Sequence, residues 1–314
     1  MSPRRLALVF AAPVLLLACA HRAELGVLDH RELVGILPPI PGERTHFVYA
    51  EVREEEGEAP GLHVSLLAPD GSRQTIVLAM AEEAAESAAR VREGAPLAEV
   101  LPSYMEVGIP PAPPPPLPAV LGPPLEGMVL RLEPLRSRQF AGTQVLVLES
   151  EGARIELLRF FVPEGGSLRL VALTPDAAAF ELRSRTPAGI VQDVRAVDLL
   201  AGARRLFVEQ ARRALDGRRL DEAAAYLARA EVLGAPDEGE FWFETARLHA
   251  LSGAGSARVL EALGRAIPFE PALYRMRART DPAFAGLKED SDFVEVVAPR
   301  PLPGREPAVR VVRE

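Results

Sequence analysis

Leu200-Ala-Gly-Ala-Arg-Arg-Leu-Phe-Val-Glu-Gln-Ala-Arg-Arg-Ala214 sets Leu200, Ala203, Phe207, Ala211 and Ala214 at steps of three and four, the spacing of one face of a helix. Gly217 breaks the pattern. A second helix then carries Leu220, Ala223, Leu227 and Ala230 and stops at Gly234-Ala-Pro236. Asp237 with Glu240 reads as a capping box for a third. From there the pattern recurs. Phe207 is answered by Trp242, Ala211 by Ala246, Leu227 by Leu263 and Ala230 by Ala266, offsets of 35 or 36 residues.

A helix–turn–helix unit of about 34 residues with one or two inserted, using small residues for close helix approach, resembles a tetratricopeptide repeat. The ending Asp281-Pro-Ala-Phe-Ala-Gly-Leu287 followed by Asp292-Phe293 is similar to the way such arrays finish. Two hairpins fall short of the three or so that usually bury a continuous core, so this module needs further support. The resemblance puts Arg205, Val208 and Arg212, then Glu240, Phe243 and Arg247, on the groove-facing side. Arg205, Arg212, Phe243 and Arg247 would then form a partner-binding clamp for an acidic peptide, through charge-assisted bidentate bonds. The alternative is that these arginines pair with Glu209, Asp216 and Glu244.

Upstream the pattern changes from period 3.6 to period 2. His46-Phe-Val-Tyr-Ala-Glu-Val-Arg53, Leu62-His-Val-Ser-Leu-Leu67 and Gln74-Thr-Ile-Val-Leu-Ala79 are rich in β-branched and aromatic residues, and Pro69-Asp-Gly71 is a turn signal. The short spacing predicts antiparallel hairpins. Residues 80–93 then read as a helix whose alanines face inward and whose Glu82, Glu83 and Glu86 face solvent. Ile109-Pro-Pro-Ala-Pro-Pro-Pro-Pro-Leu-Pro118 and Gly122-Pro-Pro124 predict an extended polyproline II rod, either a stiff linker or a long excursion within one domain, with a docking ligand for an aromatic groove as the alternative.

Four more strands are expected at 127–132, 143–148, 154–162 and 168–173, with glycine turns at Glu151-Gly152 and Glu164-Gly-Gly166. Pro175-Asp-Ala-Ala-Ala-Phe180 reads as a helical turn and residues 187–200 as a helix. This order, closing with Leu173-Thr-Pro-Asp-Ala-Ala-Ala-Phe180 and a helix, is similar to PsbP-type α/β/α sandwiches.

At the other end, Met1-Ser-Pro-Arg-Arg5 precedes an apolar run over residues 6–17. Such a run is too short to span a bilayer and reads as an export signal. Leu16-Leu-Ala-Cys19, which contains the chain's one cysteine, resembles a bacterial lipoprotein signal. The resemblance implies cleavage between Ala18 and Cys19 and acylation of Cys19; Ala20 in place of aspartate implies the outer membrane. An ordinary secretory signal cut near Ala20 and an uncleaved anchor stay open.

Composition narrows function. With 36 basic and 44 acidic residues the chain carries −8, and loss of Arg4 and Arg5 with the signal makes it −10. Nucleic acid is a poor partner for such a chain. Lys288 is the one lysine and asparagine is absent. No H-E-x-x-H, C-x-x-C, G-x-S-x-G or G-x-x-x-x-G-K-[ST] motif occurs. His21, His30, His46, His63 and His249 are scattered, with His46 and His63 the one pair that strands would bring together.

The sequence therefore predicts an α+β protein: antiparallel sheet with a helix, then an all-α module of helical hairpins. Its expected segments are a signal at 1–18, a tether at 19–44 with some capacity to pair as an edge strand, and a β-meander plus helix at 45–107. A proline linker at 108–126, an antiparallel segment at 127–195, the helical module at 196–297 and a disordered tail at 298–314 follow. No cofactor, metal site or catalytic residue is expected. The expected role is a lipid-anchored adaptor at the outer membrane, its domains in the periplasm, binding an envelope protein or peptide. A carboxylate-based hydrolase of an envelope polymer and a small-ligand-binding sandwich are the alternatives.

Overall fold

The computed structural model describes residues 28–38, 44–54, 61–80, 82–93, 95–101, 108–135, 141–186, 189–234 and 238–299. The chain divides into two compact units, Met1–Gly202 and Ala203–Glu314. The class is α+β, with three antiparallel sheets in the first unit and helical hairpins in the second.

The first sheet has the order β1 (Leu28–Leu37), β2 (His46–Glu54), β3 (Gly61–Leu67), β4 (Arg73–Met80). The β3–β4 turn is closed by Asp70, whose Oδ1 accepts the Ser72 N–H at 2.8 Å, with Gly71 at φ +86°. Alternation along β2 serves two interfaces. Val48, Ala50 and Val52 join Leu62 and Val64 against Ala84, Ala88 and Val91 of α1 (Glu82–Arg92) and Leu97 and Val100 of α2 (Leu97–Val100). Phe47 and Tyr49 point the other way and join Leu33 and Leu67 against a second sheet.

That second sheet has the order β11 (Gly189–Asp198), β10 (Ala177–Thr186), β9 (Ser167–Leu173), so β9 is a terminal strand. It supplies Ala172, Ala177, Ala179 and Val194 to the interface. The third sheet, β5 (Ala119–Val120), β6 (Val129–Pro134), β7 (Thr143–Ser150) and β8 (Ala153–Phe161), meets it through the Phe160–Phe180 ring pair at 5.3 Å. The β7–β8 hairpin turns at Glu151 (φ +49°) and Gly152 (φ +76°), the left-handed pair that a two-residue turn requires.

Two helical readings need correction. Pro175–Phe180 is not a helical turn. Asp176 is buried and accepts the Thr45 N–H at 2.9 Å and the hydroxyls of Thr45 and Thr174 at 2.6 and 2.8 Å, and β10 starts at the next residue. The alanines are there because Ala177 and Ala179, fully buried, let the sheets approach, and this packing outweighs the modest helix preference of alanine. Nor is the helix expected over 187–200 found at 189–198, and the PsbP-like order ends there: these residues pair with β10 along their length, and 187 and 188 lie outside the described residues. The helix begins only after Asp198, whose Oδ1 accepts the Ala201 N–H at 2.7 Å.

The expected tether contains β1, paired with β2 from Leu28↔Glu54 to Leu37↔His46; residues 19–27 lie outside those described. The proline run follows the second of its two readings, an excursion within one unit. Ile109 exchanges backbone bonds with Ile36 at 2.8 Å each way, and Ala119–Val120 pair with Leu130 and Val129. Both β-rich segments thus belong to one compact unit.

In the helical part, α3 (Leu199–Asp216), in which the boundary between the units falls, is followed by α4 (Leu220–Val232), α5 (Gly239–Leu251), α6 (Ser256–Ala266) and α7 (Pro271–Thr280). A 3₁₀ turn (Pro282–Leu287) and α8 (Ser291–Val297) complete it. Ala223, Leu227 and Ala230, like Val259, Ala262, Leu263 and Ala266, are buried at the expected spacing. Support beyond two hairpins comes from α7 to α8, which add Tyr274, Ala278, Phe284, Phe293 and Val297 to a core with Phe243 and Ala246. The N-cap of α5 is Glu238, with no side-chain cap bond; Asp237 lies outside the described residues. Cys19, Ala18 and the expected tail from 300 onward lie outside them too. Among the described residues no helix is long and apolar enough to cross a membrane.

Candidate functional site

The predicted clamp on the helical module does not form an open surface. Arg205 is exposed on α3, and Arg212 gives a two-pronged pair to Glu209 at 2.8 and 2.9 Å. Phe243, however, is fully buried, ringed by Tyr274 at 5.6 Å and Phe284 at 5.8 Å. Arg247 is buried as well, bonded to Glu244 and Asp216 at 2.7 Å each and paired with Asp281 at 2.9 Å. The partners foreseen as the alternative, Glu209, Asp216 and Glu244, are the ones engaged. Helical spacing identified a common face but could not say that α7 would cover it.

Arg277 of α7, which no sequence pattern marked, completes this cluster. It bonds both oxygens of Glu240 and reaches Glu244 at 3.2 Å, with its guanidinium 4.1 Å from the Phe243 ring centroid. Burial pushes the fully enclosed Glu244 up to about 7 despite its two guanidinium neighbours. For Arg247, burial opposes the charge, but Asp216 and Glu244 outweigh it and raise the pKa further. The cluster is an internal brace between α5 and α7.

The better candidate lies in the first unit, at the charged end of the β9–β11 sheet. Ala177, Ala179, Glu181 and Arg183 share one face of β10. The two alanines are covered by the first sheet, and the two charged residues extend beyond them. Glu181 is opposite Arg169 on β9, and Arg183 is opposite Gln192 on β11. Glu181 accepts from Arg169 at 2.8 Å, from Gln192 Nε2 at 3.0 Å and from Arg183 Nε. Burial opposes its charge, but these donors prevail and hold it below the usual carboxylate range. Glu181 is 6% exposed, whereas its arginines are 64% and 49% exposed. Each guanidinium spends one N–H on Glu181 and has four others.

Strand β1 supplies the facing wall. Arg31 pairs with Glu51 at 3.1 Å and reaches Asp193 at 3.6 Å, while Glu32 accepts the Leu97 N–H at 2.8 Å. Between these walls lie two adjoining cavities. One of about 310 Å³ is lined by Arg31, Glu32, Arg169, Glu181, Arg183 and Gln192 with Val91 and Pro96. The other, about 470 Å³, shares Glu32, Arg169 and Glu181 and continues past Leu33, Leu170 and Val171 to the proline run at 111–114. The signal was present in Ala177-Ala-Ala-Phe-Glu-Leu-Arg183, but it is visible only when that stretch is read with period 2.

Two carboxylates, Glu32 and Glu181, therefore face one cleft. A glycosidase-like pair needs one carboxyl kept protonated. Glu181, held low, stays ionised at neutral pH. His46 and His63 do not meet: His63 is opposite Glu51 in the register, five residues along β2 from His46, about 16 Å at the strand rise. No group of three or more metal-binding side chains occurs among the described residues. Comparison with protein-family models, with curated proteins and with solved structures gives no match.

Proposed function

We propose that this chain is a lipid-anchored adaptor of the bacterial cell envelope that binds an anionic segment of a protein partner at the cleft around Glu181. Anchoring follows from the Leu16-Leu-Ala-Cys19 signal: Cys19 carries the lipid and Ala20 directs it to the outer membrane, with the folded units in the periplasm. The observation that carries the binding role is the pair Arg169 and Arg183, bonded to a buried carboxylate while both line the cleft and stay largely exposed. Guanidiniums preorganised in this way recognise carboxylates with little further ordering. The helical module, similar to tetratricopeptide hairpins, supplies a second surface at Arg205 and Arg212.

The test is an affinity pull-down of the tagged chain from native envelopes beside Arg169→Glu/Arg183→Glu and Arg205→Glu/Arg212→Glu, with circular dichroism as the folding control. Loss of a specific partner with the first pair and retention with the second is the expected result. The reverse pattern would move the binding surface to the helical module. Retention in both variants would remove the arginines from recognition altogether.

A further inference from the structure

We infer that the cleft takes an extended acidic peptide, laid along the free edge of β9 as a fourth strand with a carboxylate side chain on Arg169 and Arg183. This rests on the adaptor reading and specifies its mode. Three observations carry it. First, β9 ends its sheet, and among the described residues nothing pairs with its outer side. A row of open backbone donors and acceptors there is a template for an added strand.

Second, the 470 Å³ cavity touches Arg169, Leu170 and Val171 in succession. A bulge leaves Val171 without a partner on β10, between the pairs Leu170↔Phe180 and Ala172↔Ala179, so the cavity lies along the stretch of β9 where the ladder to β10 is interrupted. Its far wall is the proline run at 111–114. Pro111, Pro113 and Pro114 have carbonyls but no N–H, which leaves Ala112 the one backbone donor of this wall, so it is chiefly an acceptor of N–H bonds from a chain laid beside it. Third, the charge lies at one end and the apolar lining, Leu33, Leu170 and Val171, at the other. A lone phosphate or acetate would fill the charged end and leave the apolar end unused. An acidic residue followed by apolar ones along an extended chain fits both.

The experiment is calorimetric titration of the acylated full chain in detergent micelles. The probes are peptides of about eight residues alternating glutamate and valine, with blocked ends. Beside them run a glutamine counterpart, a counterpart N-methylated at alternate residues, and inorganic phosphate. The expected result is saturable binding of the acidic peptide, weakened at least about tenfold both by glutamine and by N-methylation. Arg169→Gln/Arg183→Gln, a milder variant than charge reversal, should remove the preference for glutamate over glutamine. Phosphate competing with the peptide while N-methylation has no effect would overturn the strand and leave a small-anion site. Absence of peptide binding would overturn the inference outright. If a partner were still lost from the envelope pull-down with the charge-reversed pair, the adaptor reading would survive that failure.

Discussion

Two buried glutamates show how the same residue type is driven in opposite directions by what surrounds it. For Glu244 desolvation dominates: its folded pKa of about 7 lies above the ordinary 4.5, so the folded state binds more protons between these values. The contribution of Glu244 to stability is therefore greatest below 4.5 and is lost as pH rises through 7, by at most about 3 kcal/mol. Trp242, the one tryptophan, packs against the same core, so the melting temperature followed by its fluorescence should drop from pH 5.5 to pH 8. Glu244→Gln should flatten that slope; an unchanged slope would place the titration elsewhere. For Glu181 the donors win, so its contribution is present at neutral pH and is lost as pH falls through its depressed value. Protection of the β10 amides, corrected for the intrinsic pH dependence of exchange, should fall in acid and be steady from pH 6 to 8. Arg277→Ala would leave Glu244 with Arg247 alone and also remove the contact with Phe243. A loss of about 1–3 kcal/mol by urea denaturation is expected, since the part-exposed Arg277 gives up charged hydrogen bonds while Glu244 keeps Arg247.

Strands β2, β3, β4 and β6 to β9 were legible because valine, isoleucine and aromatic residues alternate with polar ones between glycine turns. The helices α3 to α6 were legible from Phe207, Leu227, Trp242 and Leu263 and the alanines that accompany them. Strands β10 and β11 were not. Three successive alanines carry a helix preference, and what overrides it is a neighbour more than a hundred residues away, the Phe47 and Tyr49 face of β2. The candidate site was hidden by the same misreading, since Glu181 and Arg183 come together with Arg169 and Gln192 only in a sheet. If small size is what the interface requires, Ala179→Leu, across from Ala172 and Ala196, should overpack it and cost about 1–3 kcal/mol, read by urea denaturation with far-UV circular dichroism. A helix-based account would have leucine neutral there. The bridge at Ile109 supports a second check. Gly108 has φ +77°, and a Cβ on it would lie 2.2 Å from the Ile36 carbonyl oxygen, so Gly108→Ala should detach the proline run and weaken peptide capture at the cleft.

At the scale of the whole molecule, the proposed lipid anchor would fix where the chain works. Three hydrocarbon tails on Cys19 would contribute about 0.8 kcal/mol per buried CH₂, and attachment on that scale does not reverse. Cys19→Ala should shift the protein from the membrane pellet to the soluble fraction, a redistribution measured by fractionation and immunoblotting. Continued pelleting would point to the uncleaved anchor. Such an anchor would also confine every copy to one plane, where bare strand edges of neighbouring molecules would meet far more often than in free solution. Two such edges can zip together into a continuous sheet and remove both proteins from service. Strand β9, Ser-Leu-Arg-Leu-Val-Ala-Leu, contains no carboxylate. A second β9 therefore offers Arg169 no counter-ion and, wherever the two arginines align, sets like charges face to face. The side chain that welcomes an acidic guest thus also acts as a gatekeeper, leaving the edge vacant for a stranger and closed to kin.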